Sequence, residues 1–168
     1  MRLSSSAMKR AVRLLLYGSL CLAATISAAD RFSFSGSYTL TGTEGPRFEK
    51  GTVKKLRVVQ TDASIEVTQT IDGHPYTNVY PFDGKEGTYV SPAGAKGTCK
   101  AQAKKNYLIL ESVVTTRPDV NDPLVQIHTK QKWELSRDLK TLTIRFTVDS
   151  PQSALNVIEP WTDIYKRD

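Results

Sequence analysis

LVQIHTKQKWELSRDLKTLTIRFTV, residues 124–148, decides the fold of this chain. Apolar and polar side chains alternate on both sides of Arg137-Asp138, and this is the period of a β-strand with one buried face. The pair itself predicts a turn, so we expect a hairpin of strands 124–135 and 141–148. The predicted inward faces carry Val125, Ile127, Thr129, Gln131, Trp133 and Leu135 on the first strand, and Leu142, Ile144, Phe146 and Val148 on the second.

The period of two continues from Phe32 to Tyr165, without a convincing amphipathic helix. Gly36 predicts a bend or bulge in the first strand. Pro81 removes a backbone donor, so residues 79–82 are predicted to form an edge strand or a short bridge and not a central strand. The predicted strands are residues 32–40, 56–58, 65–71, 79–82, 88–90, 98–103, 107–115, 124–135, 141–148 and 161–166.

Eight to ten sequential antiparallel strands with short turns predict an all-β, up-and-down meander that closes into a lipocalin-like barrel. Closure is favoured because it removes exposed strand edges. A two-sheet β-sandwich is the main alternative. The interior of a barrel of this size is filled by side chains or holds one small ligand.

The first 29 residues predict a secretory signal peptide. Residues 9–13 carry three cationic side chains, residues 14–22 form an apolar run, and residues 27–29 (Ser-Ala-Ala) resemble a cleavage site. The run is shorter than the ~20 residues of a membrane span, so we expect no stable membrane insertion after cleavage. The expected product is a single antiparallel β domain, residues 30–168, secreted or periplasmic and bacterial in origin.

The positive charge of the chain lies largely in this leader. The formal net charge is +6, and the leader holds Arg2, Lys9, Arg10 and Arg13 with no acidic residue. Most of the excess charge would therefore be lost on cleavage. The remaining domain gives no reason to expect a nucleic-acid partner.

Candidate reactive groups are few. Cys21 belongs to the leader, so Cys99 would be the only remaining cysteine and no internal disulfide could form. Its place in an alternating strand predicts a buried, inert thiol. His74 in a turn and His128 on the outward phase of a strand are expected at the surface.

Asp119, Asn121 and Asp122 resemble the start of a calcium loop. The central glycine and the distant glutamate are missing, so we expect a plain turn before Pro123. No nucleophile elbow or phosphate-binding loop occurs either. We therefore expect no metal, no cofactor and no enzymatic activity.

The candidate binding residues are the large and polar side chains on the inward phases. Phe34, Tyr38, Trp133 and Phe146 come from four strands and could meet in one interior, where the simplest expectation is that they fill the core. Thr129 and Gln131 share the inward phase with Trp133. Two successive inward polar groups indicate a wet cavity or a strand end in solvent.

Three segments resemble those of small secreted bacterial lipocalin-like proteins. Gly36-Ser37-Tyr38 stands where those proteins place Gly-x-Trp, with tyrosine replacing tryptophan. Residues 83–86 (Asp-Gly-Lys-Glu) match a mid-chain turn. Residues 136–143 are similar to a Ser-x-Asp-Gly-Lys-Thr-Leu-Thr hairpin, with Leu139 in place of the glycine. The resemblance implies a β-barrel and supplies no catalytic residue.

Two functional classes follow. The first is a non-enzymatic binding protein that holds a small apolar or amphipathic ligand in a cavity lined by Trp133 and Tyr38. The alternative is an envelope protein–protein interaction module, or an inhibitor, acting through residues 73–97. That region would need to expose Tyr76, Tyr80, Phe82 and Tyr89 together; no particular protein partner is indicated.

Overall fold

The computed structural model describes residues 33–46, 54–117, 121, 123–150 and 158–168. The signal peptide predicted over residues 1–29, Phe32, and Asp119 and Asp122 of the acidic loop lie outside them. The ten strands are β1 (Gly36–Glu44), β2 (Lys55–Gln60), β3 (Ser64–Ile71), β4 (His74–Pro81), β5 (Gly87–Val90), β6 (Lys96–Ala103), β7 (Tyr107–Thr116), β8 (Val125–Leu135), β9 (Thr141–Asp149) and β10 (Ile158–Arg167).

All ten strands are antiparallel and belong to one sheet, in the order β4-β3-β2-β1-β10-β9-β8-β7-β6-β5. The two edge strands, β4 and β5, lie side by side, so the sheet forms a nearly closed barrel. The predicted all-β meander closing into a barrel is confirmed, and the sandwich alternative is not. The inward side chains of all these strands form one hydrophobic core.

Strand β4 is longer than predicted. Asp72 and Gly73 both have positive φ, 51° and 81°, as in a two-residue hairpin turn. The pairing with β3 therefore starts immediately, with His74 opposite Ile71. Pro81 ends β4, and the prediction that its strand lies at a sheet edge is confirmed.

The irregularity expected at Gly36 lies elsewhere in β1. Gly36 is the first residue of the strand, and the register against β10 shifts between Leu40 and Gly42. The extra residue at this bulge re-aims the side chains that follow it. As a result Thr43, and not Gly42, lies opposite Asp163.

One end of the barrel is closed by packed aromatic rings. Phe34 and Trp133 meet edge to face at 6.4 Å, and Tyr38 is fully buried beside them. Arg167 donates to the Tyr38 hydroxyl at 2.7 Å, and that hydroxyl donates to the Phe34 carbonyl at 2.8 Å. Burial raises the pKa of Tyr38, and Arg167 opposes this shift. The side chains at this end of the barrel are therefore closely packed.

The connections β1–β2, β3–β4, β5–β6, β7–β8 and β9–β10 all leave from the opposite end. The β5–β6 loop, residues 91–95, is held by a hydrogen bond from the Ser91 backbone N–H to the Ala95 carbonyl at 2.8 Å. Residues of this loop line the interior cavity, so the cavity lies toward this end.

The seam between β4 and β5 is closed by a side chain. Within the described residues, no backbone ladder joins these strands. Instead, Asn78 Nδ2 donates to the Val90 carbonyl at 3.1 Å, and the Val90 N–H donates to Asn78 Oδ1 at 2.8 Å. The amide thus replaces the two backbone bonds of a ladder pair. Gly87 allows the close approach, because a Cβ there would lie 2.7 Å from the Val79 carbonyl oxygen.

The turn after β8 keeps its shape although Leu139 replaces the glycine of the resembled hairpin. Leu139 has a φ of 59°, in the left-handed region. Its N–H donates to the Ser136 carbonyl at 2.9 Å, and the Ser136 hydroxyl donates to Asp138 at 2.6 Å. These bonds hold a conformation that costs a non-glycine residue about 1–2 kcal/mol.

Substitution of Leu139 by glycine is expected to stabilise the protein. Release of the left-handed strain should raise the free energy of unfolding by about 1 kcal/mol. Urea denaturation measures it. Lys140→Gly is the matched control and should destabilise, since no positive φ is recorded at Lys140. Equal or lower stability of L139G would contradict the strain argument.

Asn78→Asp is expected to loosen the seam. The carboxylate still accepts from the Val90 N–H, but it cannot donate to the Val90 carbonyl, so the free energy of unfolding should fall by about 1 kcal/mol. Hydrogen exchange at the Val90 amide should accelerate. Val79→Thr, a near-isosteric change at the exposed neighbouring residue, is the control. Unchanged exchange in N78D would show that the amide does not close the seam.

Candidate functional site

The barrel interior contains a cavity of about 220 Å³ toward the end that carries the β5–β6 loop. Its volume lies slightly below the ~300–1,000 Å³ usual for drug-sized ligands. The wall is part apolar and part polar. Its lining residues are Lys54, Gln69, Tyr89, Ser91, Pro92, Ala93, Ala95, Ser112, Val114, Thr116, Ile127, Thr129, Gln131, Phe146, Val148, Trp161, Asp163 and Tyr165.

A polar strip of Ser112, Thr129 and Gln131 runs along β7 and β8. Ser112 and Thr129 are directly opposite each other, and Gln131 follows on the same face. Gln131 is only 6% exposed, and its Oε1 accepts a hydrogen bond from the Trp133 indole at 2.9 Å. An indole N–H can only donate, so this bond fixes which end of the amide faces Trp133. The Gln131 NH2 group is therefore the end left for the cavity.

An aromatic wall adjoins this strip. Phe146 lies opposite Gln131 on the neighbouring strand, and Trp161 lies opposite Phe146 on the next. The two rings are stacked, with centroids 4.7 Å apart and planes within 4° of parallel. Ile127 and Val148 extend this apolar surface. An amphipathic molecule could thus meet a hydrogen-bond donor and a flat apolar wall at once.

The cavity also carries two charged residues, Lys54 and Asp163, which are 7% and 1% exposed. The Thr43 hydroxyl donates to Asp163 Oδ1 at 2.8 Å, and the Tyr165 hydroxyl lies 3.5 Å from Oδ2. Lys54 and Asp163 each interact with further groups of the protein. Among the described lining residues, the formal charges are one positive and one negative.

The six residues predicted for the site fall into two groups. Thr129, Gln131 and Phe146 line the cavity. Phe34, Tyr38 and Trp133 belong to the packed end and are not among the lining residues, contrary to the expectation that Trp133 and Tyr38 would line it. The reason is depth along the barrel, because inward residues of one strand occupy different levels. Ligand binding by any of the six stays a prediction.

Sequence reasoning missed Lys54, Trp161 and Asp163. The signal was present, since Lys54 shares the inward phase of Leu56, and Asp163 lies between two inward aromatic residues, Trp161 and Tyr165. Lys54 and Asp163 were not predicted because charged residues are usually exposed.

The residues proposed for an interaction surface do not form an exposed patch. Tyr80 is buried and contacts Tyr89 edge to face at 6.4 Å. Tyr89 and Phe82 pack against the core. Burial raises the pKa of Tyr80 well above its ordinary value. The alternative function through residues 73–97 thus loses its main support.

His74 and His128 are both exposed, as predicted. Within the described residues no group of three His, Cys, Asp or Glu side chains is placed to hold a metal ion. That part of the chain also has no helix of the length and hydropathy needed to cross a membrane.

The predicted burial of Cys99 is confirmed, at 2% exposure. Its thiol donates to the Val79 carbonyl at 3.3 Å, across the seam. Burial, with a smaller contribution from Glu86, raises the pKa of the thiol to about 11. A thiol that remains protonated is a weak nucleophile, so this environment favours the inert interpretation.

Comparison with known proteins finds the fold, not a family. No family model matches the sequence, and no curated protein matches it. The zebrafish ileal bile acid-binding protein, solved with cholic acid, is similar with a TM-score of 0.57 and 17% identity, over 80% of this chain and 98% of that one.

Echinococcus granulosus fatty-acid-binding protein 1 gives a TM-score of 0.53 and 11% identity, over 80% of this chain and 96% of that one. Human cRBP IV gives a TM-score of 0.52 and 10% identity, over 82% of this chain and 99% of that one. At these identities the likeness shows the barrel fold alone. Membership of the bacterial lipocalin-like group stays a prediction.

Cys99 is expected to make stability fall at alkaline pH. The unfolded thiol ionises near its ordinary pKa of 9.0 and the folded thiol only near 11. From pH 9 to 11 the unfolded chain therefore binds fewer protons, and the free energy of unfolding falls as pH rises, by at most about 2–3 kcal/mol. Urea denaturation across this range measures the slope, which should be shallower in Cys99→Ala. An unchanged slope in C99A would assign the effect to other groups, such as Tyr80.

Proposed function

We propose that this protein is a non-enzymatic binding protein that holds a small apolar or amphipathic molecule inside its barrel. The interior cavity carries the proposal. It combines a stacked aromatic wall with a few buried polar groups, and this is the composition of sites that bind small molecules. A fold alone would not be sufficient, because one architecture hosts many functions.

The structural neighbours support this function without establishing it. Proteins that share the barrel are described as binding bile acids or fatty acids, and one as a fatty acid transporter. They are binding proteins and not enzymes. Only the class of ligand is carried over to this chain, because the sequence identities are 11–17%.

We further propose that the protein acts outside the cytoplasm of a bacterium, in the periplasm or after secretion. The leader predicted over residues 1–29 is the support for this location. Native mass spectrometry of protein purified from its own envelope or medium tests both parts. We expect a chain that starts at Asp30 and an additional bound mass that is lost on denaturation.

A probe titration tests the cavity directly. The uncharged dye N-phenyl-1-naphthylamine should bind with enhanced fluorescence, because the aromatic wall removes it from water. Val114→Phe adds a ring at a lining residue and should weaken binding at least tenfold. Val113→Phe places the same ring on the other face of β7 and should leave binding unchanged. Equal binding by V114F and wild type, or no binding by wild type, would refute the proposed function.

A further inference from the structure

The Gln131 amide presents its NH2 donors to the cavity. Its oxygen accepts from the Trp133 indole, and this is the one hydrogen bond that its side chain makes among the described residues. The residue is 94% buried and lines the cavity, and its NH2 group is accessible from the cavity and not sealed in the core. A donor pair held in this position is available to a ligand, because small-molecule sites fix the orientation of a ligand with a few placed polar groups. A ligand that uses this pair must carry an acceptor atom.

The charges of the wall disfavour an ionised partner. Asp163 is almost fully buried, and it already interacts with Thr43, Tyr165 and further groups of the protein. Lys54 is the one cationic group among the described lining residues, and it already interacts with the protein. An ionised carboxylate would lose its hydration without gaining a dedicated countercharge, and burial of an unpaired charge is expensive.

The hydrocarbon part of the ligand also has a defined place. Gln131, Phe146 and Trp161 form one row across β8, β9 and β10. A molecule whose oxygen meets the Gln131 NH2 group therefore lies with its next atoms against the stacked rings. The cavity volume of about 220 Å³ suits a chain of medium length.

On the basis of the proposed function, we propose that the ligand is an uncharged amphipathic molecule whose carbonyl or hydroxyl oxygen accepts a hydrogen bond from Gln131 Nε2. The cavity selects such molecules over ionised fatty acids of the same chain length. In this respect the protein differs from what the fatty-acid-binding neighbours would suggest.

The test compares 2-decanone with decanoate as competitors of N-phenyl-1-naphthylamine at pH 8, where the carboxylate is ionised. The chains have equal carbon number, so the head group is the main difference. We expect the ketone to displace the dye at a concentration at least tenfold lower. Equal or tighter binding of decanoate would overturn this inference and leave the proposed function intact, since a ligand still enters. If the dye binds but neither compound displaces it, this inference is likewise overturned and the proposed function remains intact.

Gln131→Glu identifies the donor. The carboxylate still accepts from the Trp133 indole, but it loses the NH2 group, so ketone binding should weaken at least tenfold. Gln126→Glu makes the same change at an exposed position of the same strand and should have no effect. Unchanged ketone binding in Q131E would overturn the assignment to Gln131. The wild-type ratio of ketone to decanoate stands as a test even if Q131E does not fold.

Discussion

The number of strands is the constraint from which the rest of this structure follows. Eight strands close a barrel that side chains can just fill, and the diameter grows with each added strand. Ten strands here enclose more space than their inward residues occupy. Three large side chains, Phe34, Tyr38 and Trp133, pack together at one end. At the other end small and polar groups such as Ser112 and Thr129 lie beside the stacked rings of Phe146 and Trp161, and a cavity remains there.

The polar groups of the interior are therefore of two kinds. Some are used by the protein itself, as when Arg167 ties Tyr38 to the backbone or Thr43 donates to Asp163. Others, above all the Gln131 NH2 group, face the space that the strands leave open. The first kind helps to fix the shape of the cavity, and we propose that the second gives it chemical selectivity. A core packed only for stability would have no use for the second kind.

The sequence predicts the architecture well and the site only in part. Period-two alternation, as in residues 124–148, depends on local geometry, so it identified the strands, their inward faces and the edge position of Pro81. The level of each side chain along the barrel depends on strand stagger and on the bulge after Leu40, which alternation does not encode. Trp133 and Tyr38 were therefore expected around the cavity but lie in its closed end. The hydrogen bonds of the Asn78 amide to Val90 could not be predicted from the sequence either, because they depend on β4 lying beside β5.

The position of the seam in the chain has a consequence for folding kinetics. The interruption of the backbone ladder, between β4 and β5, falls in the middle of the sequence. The first and last strands, β1 and β10, are paired with each other, and the Thr39 hydroxyl donates to Asp168 across 129 residues. The conformational entropy lost in closing so long a loop must be overcome before that ladder contributes stability. Pairings between distant segments slow folding. Two sequential meanders, β1–β4 and β5–β10, are each built from local pairings, and we expect their joining through β1 and β10 to be slower than the formation of either.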